Sequence, residues 1–90
     1  MKKAIITVVG KDQVGIIAKV CTYLADSQIN ILDISQTILQ GYFNMMMIVD
    51  VANAKDDFAI LVDQLESLGD DIGVNIKLQH EDIFNKMHRI

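Results

Sequence analysis

Between an apolar run and an amphipathic run the chain reads Gly10-Lys11-Asp12-Gln13-Val14-Gly15, four residues held between two glycines. If Ile16 opens a helix, the N–H groups near Gly15 to Ala18 have no partner within that helix and point into the loop. The entrance of a helix carries about half a positive charge and suits a carboxylate or a phosphate. Gly15 has no Cβ, so it either lets a ligand approach the main chain or supplies a positive φ. A purely structural use accounts for the same residues: both glycines let the chain turn sharply, and Asp12 caps the loop.

Other side chains with reactive or ligating chemistry are poorly arranged for it. His80, His88 and Cys21 have a spacing that matches no metal-ligand pattern. Cys21 falls on the predicted apolar stripe of the first helix, where a thiol is buried and inert. The one arginine, Arg89, stands in the tail, so the first loop has none to grip a phosphoryl group. Base stacking on RNA calls for aromatic side chains on the central strands, and only Phe43 qualifies, at the start of one. No catalytic residue, metal or cofactor is expected, and the chain is not predicted to be an enzyme.

Charge and hydropathy exclude two further classes. With 12 acidic and eight dispersed basic residues the net charge is -4, which disfavours binding to nucleic acid. No apolar run approaches the roughly 18 residues that cross a bilayer. The start, Met1-Lys2-Lys3, is followed by an apolar run too short for a signal peptide, and the single cysteine forms no internal disulfide. A cytoplasmic location is predicted.

Six elements must position the loop. Ala4 to Gly10 is β-branched and apolar on both faces apart from Thr7, which suits a central strand buried on both sides. Ile16, Ile17, Val20, Cys21 and Leu24 fall at helical intervals in a helix ending near Ser27. Ile29 to Leu39 reads as an edge strand, with Leu32, Ile34 and Ile38 on one face and Asp33, Ser35 and Thr37 on the other. Gly41 with Tyr42 makes a turn, and Phe43 to Ala52 returns as a third strand. Asp56 and Asp57 open a second helix whose stripe is Phe58, Leu61, Val62, Leu65 and Leu68, with Gly69 near its end. Val74, Ile76 and Leu78 alternate with polar residues in a fourth strand. In the tail, residues 81–90, Ile83, Phe84, Met87 and Ile90 are spaced as on a short helix that packs on the domain or on a partner subunit.

The order β-α-β-β-α-β predicts a single α+β domain over residues 1–80, a ferredoxin-like sandwich. Right-handed crossovers give a four-stranded antiparallel sheet of order 4-1-3-2 with both helices on one face. The other face then shows Ile5, Val9, Met46 and Ile48, and a contiguous apolar patch of this kind calls for a cover. The consecutive methionines Met45 to Met47 are read as core of a central strand rather than as an adaptable ligand surface. A domain of 90 residues buries only roughly 60 to 65 % of its unfolded surface, so association would add to a thin margin.

The stretch GKDQVGIIAKVCTYLADSQINILDIS resembles the signature of the ACT domain, a small regulatory module that binds amino acids. The segments VVGKDQVGI, NILDISQTIL and YFNMMMIVD are similar to the small stand-alone bacterial ACT proteins related to the glycine cleavage system repressor, and the likeness covers nearly the whole chain. It implies a homo-oligomer, most simply a dimer, that binds a small amino acid where the first loop meets the start of the second strand, often between two copies. Asp12 and Asn30 take the positions of the family's polar contacts, Gly15 keeps its glycine, and Val14 and Ile31 line the pocket. With Gln13 and Ile16 these form the candidate ligand-binding set. Asp12 accepts from an ammonium group, and Asn30 both donates and accepts. Val14 stands where many members carry proline, and Gln28 where many carry glycine. With no enzyme attached, the output passes through self-association or a protein partner. A ligand-free interaction or dimerisation domain is the alternative.

Overall fold

A computed structural model of the chain describes residues 1–11 and 13–81. Asp12 and the predicted tail helix beyond Glu81 lie outside the described residues. The elements are β1 (Lys3–Lys11), α1 (Ile16–Asp26), β2 (Asn30–Leu39), β3 (Tyr42–Asp50), α2 (Phe58–Ile72) and β4 (Val74–His80). They form a four-stranded sheet of order β2-β3-β1-β4 with antiparallel pairing throughout. The predicted architecture and strand order are those observed.

The core lies between the sheet and the two helices. Strand residues Ala4, Ile6, Val8, Met45, Met47, Val49 and Ile76 meet Ile16, Val20 and Leu24 of α1 and Leu61, Leu65 and Ile72 of α2. Met45 and Met47 are fully buried while Met46, on the opposite face, is 39 % exposed. That alternation confirms two of the methionines as core. Burying side chains of this size stabilises the fold by about 1.5–3 kcal/mol each.

Several local expectations need correction. On α1 only Ile16, Val20 and Leu24, four residues apart, are buried; Ile17 is 39 % exposed and Cys21 is half-buried, so the stripe is narrower than its composition suggested. The β2 ladder shifts register between Ile31 and Asp33, leaving Leu32 as the extra residue of a bulge. The bulge puts Ile31, rather than Leu32, on the face of Ile34 and Ile38. The β2–β3 turn is Gln40-Gly41, both left-handed with φ of 53° and 81°, and Tyr42 already belongs to β3. Two consecutive positive φ values give the type of two-residue turn whose twist matches a hairpin. α2 continues past Gly69 to Ile72 and stops at Gly73, φ 78°, whose N–H donates to the Gly69 carbonyl. Finally, β1 is not buried on both sides throughout, since Val9 is 47 % exposed on the face away from the helices.

The end of α1 shows how a glutamine holds a left-handed position. Gln28 is left-handed, φ 60°, its N–H donates to the Ala25 carbonyl and that of Ile29 to the Leu24 carbonyl at 2.9 Å. This pair of bonds is a Schellman closure, completed by buried Ile29 next to buried Leu24. The two helices are tied by Tyr23, whose hydroxyl donates to Gln64 Oε1 at 2.7 Å, and burial pushes that phenol up in pKa, against a Ser27 hydrogen bond and with the charge of Asp56. At the far end of β3, the Asp50 carboxylate accepts from the main-chain N–H groups of Lys2 and Ala52, each at 3.0 Å. The Ala52 and Lys2 bonds hold its carboxyl below the usual range.

Two glycine exchanges should act in opposite directions. A Cβ on Gly69 would lie 2.6 Å from the Val74 carbonyl oxygen, a main-chain atom that cannot step aside. Gly69→Ala should therefore destabilise by about 1–3 kcal/mol, although alanine is the better helix former. Gln28→Gly relieves a left-handed glutamine on an exposed surface and should stabilise by up to about 1 kcal/mol. Urea unfolding midpoints read both. The Asp50 carboxyl supplies a third expectation. Because its folded pKa is lowered, its contribution is present above the unfolded value of about 3.9 and is lost as pH falls through the folded one. Asp50→Asn should flatten that part of the acid limb in unfolding curves recorded from about pH 5 to pH 2.

Candidate functional site

The entrance of α1 is built by two glycines with different tasks. Gly10 pairs with Phe43 on one side and Val74 on the other, and a Cβ there would lie 2.7 Å from Val74 Cγ1. The first glycine of the loop thus serves close approach within the protein. Gly15 has φ 93° and ψ -1°, and among the described residues nothing lies within 4 Å of where its Cβ would be. It therefore supplies the positive φ, one of the two uses that the sequence offered. The first turn closes with the Lys19 N–H on the Gly15 carbonyl at 3.0 Å. The N–H groups of Ile16, Ile17 and Ala18 precede that bond, and among the described residues no side chain caps them. What this arrangement can do is accept a small anionic group on main-chain donors.

The remaining candidates divide. Val14 is fully exposed at the tip of the loop. Ile16 is 2 % exposed and belongs to the core, so it offers its main chain and not its side chain. Gln13 is engaged by α2: its side-chain amide donates to the Ile72 carbonyl at the end of that helix. Sequence reasoning missed that contact, which joins residues 59 apart in the chain and leaves no local pattern. Asn30 is exposed and pairs with Asp50, while half-buried Ile31 packs against the core from the same strand.

Within one chain the loop and Asn30 do not meet. Asn30 pairs with Asp50, and Asp50 with Lys3 at the start of β1. The loop leaves the other end of β1, where Lys11 pairs with Tyr42 and Tyr42 with Leu39. Eight residue steps of strand, about 27 Å, separate the two ends. The element order alone contained this separation, because a strand, a returning helix and a second strand make β1 and β2 parallel.

Other parts of the described residues hold cavities. One of about 410 Å³ runs between the helices beside Ala18, Thr22, Tyr23 and Leu68, and one of about 430 Å³ lies under the hairpin beside Val9, Leu39 and Tyr42. A third of about 440 Å³ is lined by Met1, Lys2, Lys3, His80 and Glu81. Next to it the His80 ring stacks on Phe58 with centroids 3.7 Å apart. Among the described residues no group of three or more His, Cys, Asp or Glu side chains could hold a metal ion, and no helix is long and apolar enough to cross a membrane.

Comparison with known proteins agrees with this architecture. A UPF0237 protein of Bifidobacterium longum is 70% identical over all 90 residues of both chains. The solved ACT domain protein from Streptococcus pneumoniae is 47% identical with a TM-score of 0.81, covering 92% of this chain and 93% of that one. The regulatory subunit of aspartate kinase from Thermus thermophilus, in its ligand-free form, is 30% identical with a TM-score of 0.66 over 88% of this chain and 51% of that one. A protein assigned as a glycine cleavage system transcriptional repressor shares the fold, with a TM-score of 0.75 at 20% identity over 87% of this chain and 44% of that one. Residues 2–79 match the ACT domain family, and the chain belongs to it.

Proposed function

We propose that the chain is an amino-acid-sensing regulatory module that works as a homodimer, with its ligand seated between two copies. The coarse part of this reading comes with the family, whose domains are commonly small-molecule-binding and regulatory. The observation that supports the finer part is the separation of Gly15 from Asn30 at opposite ends of one sheet.

The strand β2 offers the way to unite them. It is ten residues long, stands at the sheet edge, and is exposed at every position except half-buried Ile31. It carries neither proline nor lysine, the residues that commonly blunt an edge against pairing. Ile34, Ile38 and Leu39 on it are 44 %, 56 % and 69 % exposed, apolar surface that a second chain would remove from water. If β2 pairs antiparallel with β2 of a second copy, Asn30 of one copy moves to the end of the sheet that carries the loop of the other. The ligand carboxylate would then face the N–H groups of Ile16 to Ala18, which no side chain caps among the described residues, and Asp12 is the proposed acceptor for its ammonium group. Asn30 donates or accepts across the interface, with Val14 and Ile31 as apolar walls. A ligand held by both copies favours the pair over the single chain by its differential affinity. In the reducing cytoplasm such a change of assembly would be read by a protein partner.

Calorimetric titration of the twenty amino acids, with sedimentation of the same samples, tests this reading. One small amino acid should bind and tighten the dimer, and Asn30→Ala should weaken it about tenfold, the effect of one hydrogen bond to a charged group. Silence from all twenty, in a folded dimer, rejects sensing and leaves a ligand-free interaction domain.

A further inference from the structure

We propose that the Gln13 side chain is a latch that fastens the β1–α1 loop to the C-terminal end of α2, so that the loop and the α2–β4 turn change state together. The last carbonyls of a helix lack partners within it, and Gln13 supplies one to Ile72. The next residue, Gly73, is left-handed, and a Cβ there would stand 3.7 Å from Gln13 Nε2. One residue further, Val74 fills the space that a side chain on Gly10 would need. Gly10 and Gln13 are therefore each set against this turn, Gly10 on Val74 and Gln13 on Ile72.

Val14 and Gly15 are not set against the turn in this way. Val14 is fully exposed, and among the described residues nothing lies within 4 Å of the Cβ position of Gly15. One side-chain hydrogen bond thus immediately precedes the exposed residues that lead into α1. A net contribution of about 1 kcal/mol corresponds to roughly a fivefold population ratio, which modest forces can reverse. On the far side, Gly69 of α2 sits against the Val74 carbonyl and the Ile76 main chain. Release of the latch therefore reaches β4, the sheet edge opposite the one assigned above to dimerisation. Gln13 is accordingly a positioning residue and not a ligand contact. Resting on the sensing reading, the latch is the route by which an occupant of the α1 entrance would alter that second edge.

The coupling itself is testable without any ligand. Gln13→Glu keeps the size of the side chain and removes its donors at neutral pH. In this variant hydrogen exchange at the Gly73 amide should be about fivefold faster than in the wild-type chain. Gly73→Ala perturbs the turn from its other side. In the wild-type background it should move the amide NMR signals of Val14 and Gly15, and in the Gln13→Glu background it should leave them in place. Unchanged exchange at Gly73 in Gln13→Glu overturns the latch. So do loop signals that move equally in both backgrounds or in neither. Should Gly73→Ala not fold, the exchange measurement on Gln13→Glu decides alone. Since nothing is added to the protein, failure of amino acids to bind would leave this result standing.

Discussion

A helix that carries the chain from β1 back to the start of β2 forces those two strands to run parallel, with β3 between them. From that crossover follow the features that matter for function. It places the glycine loop at one end of the sheet and Asn30 at the other. It leaves β2 outermost, paired along one side only, with its apolar residues in water. Both helices fall on one face, so Val9 and Met46 are exposed on the other. A single chain of this topology holds half of a candidate site at each end of its sheet.

Glycine is used for two distinct ends in this frame. Gly10 and Gly69 are places with no room for a side chain, Gly10 against the Val74 side chain and Gly69 against the Val74 carbonyl. Gly15, Gly41 and Gly73 instead adopt left-handed conformations at turns, as do Gln28 and Gln40. At Gln28 the two main-chain hydrogen bonds and the Ile29–Leu24 packing offset the steric cost. Val74 thus joins β1, α2 and β4 at one point, directly beside the carbonyl that Gln13 engages.

Much of the architecture was legible because periodicity and connectivity agree. The runs apolar on both faces became the central strands β1 and β3, and the alternating runs became edges. What failed to show were features of long range or of one-residue precision. The bulge at Leu32 reverses the alternation of β2, and no residue type marks it. The helix stripe at Ile17 and Cys21 looked wide by composition because exposed apolar residues are common on small domains. At the candidate site the role of Gly15 as a left-handed entrance was readable from its place before Ile16. Gln13 was not, since its partner Ile72 is close only after α2 and β4 have packed.

The reading as a sensor gains its physical sense from the same thin margin. A small domain with an open β2 and one sheet face bearing Val9 and Met46 leaves apolar surface that association can remove from water. Where association already lies near balance, a ligand that contacts both copies needs little binding energy to tip it. Linkage then runs both ways: whatever holds two copies together raises affinity for the ligand by the same factor by which the ligand tightens the pair. A partner protein that recognises only the paired form would therefore act as a co-ligand, and the strength of sensing would depend on its concentration as well as on the amino acid.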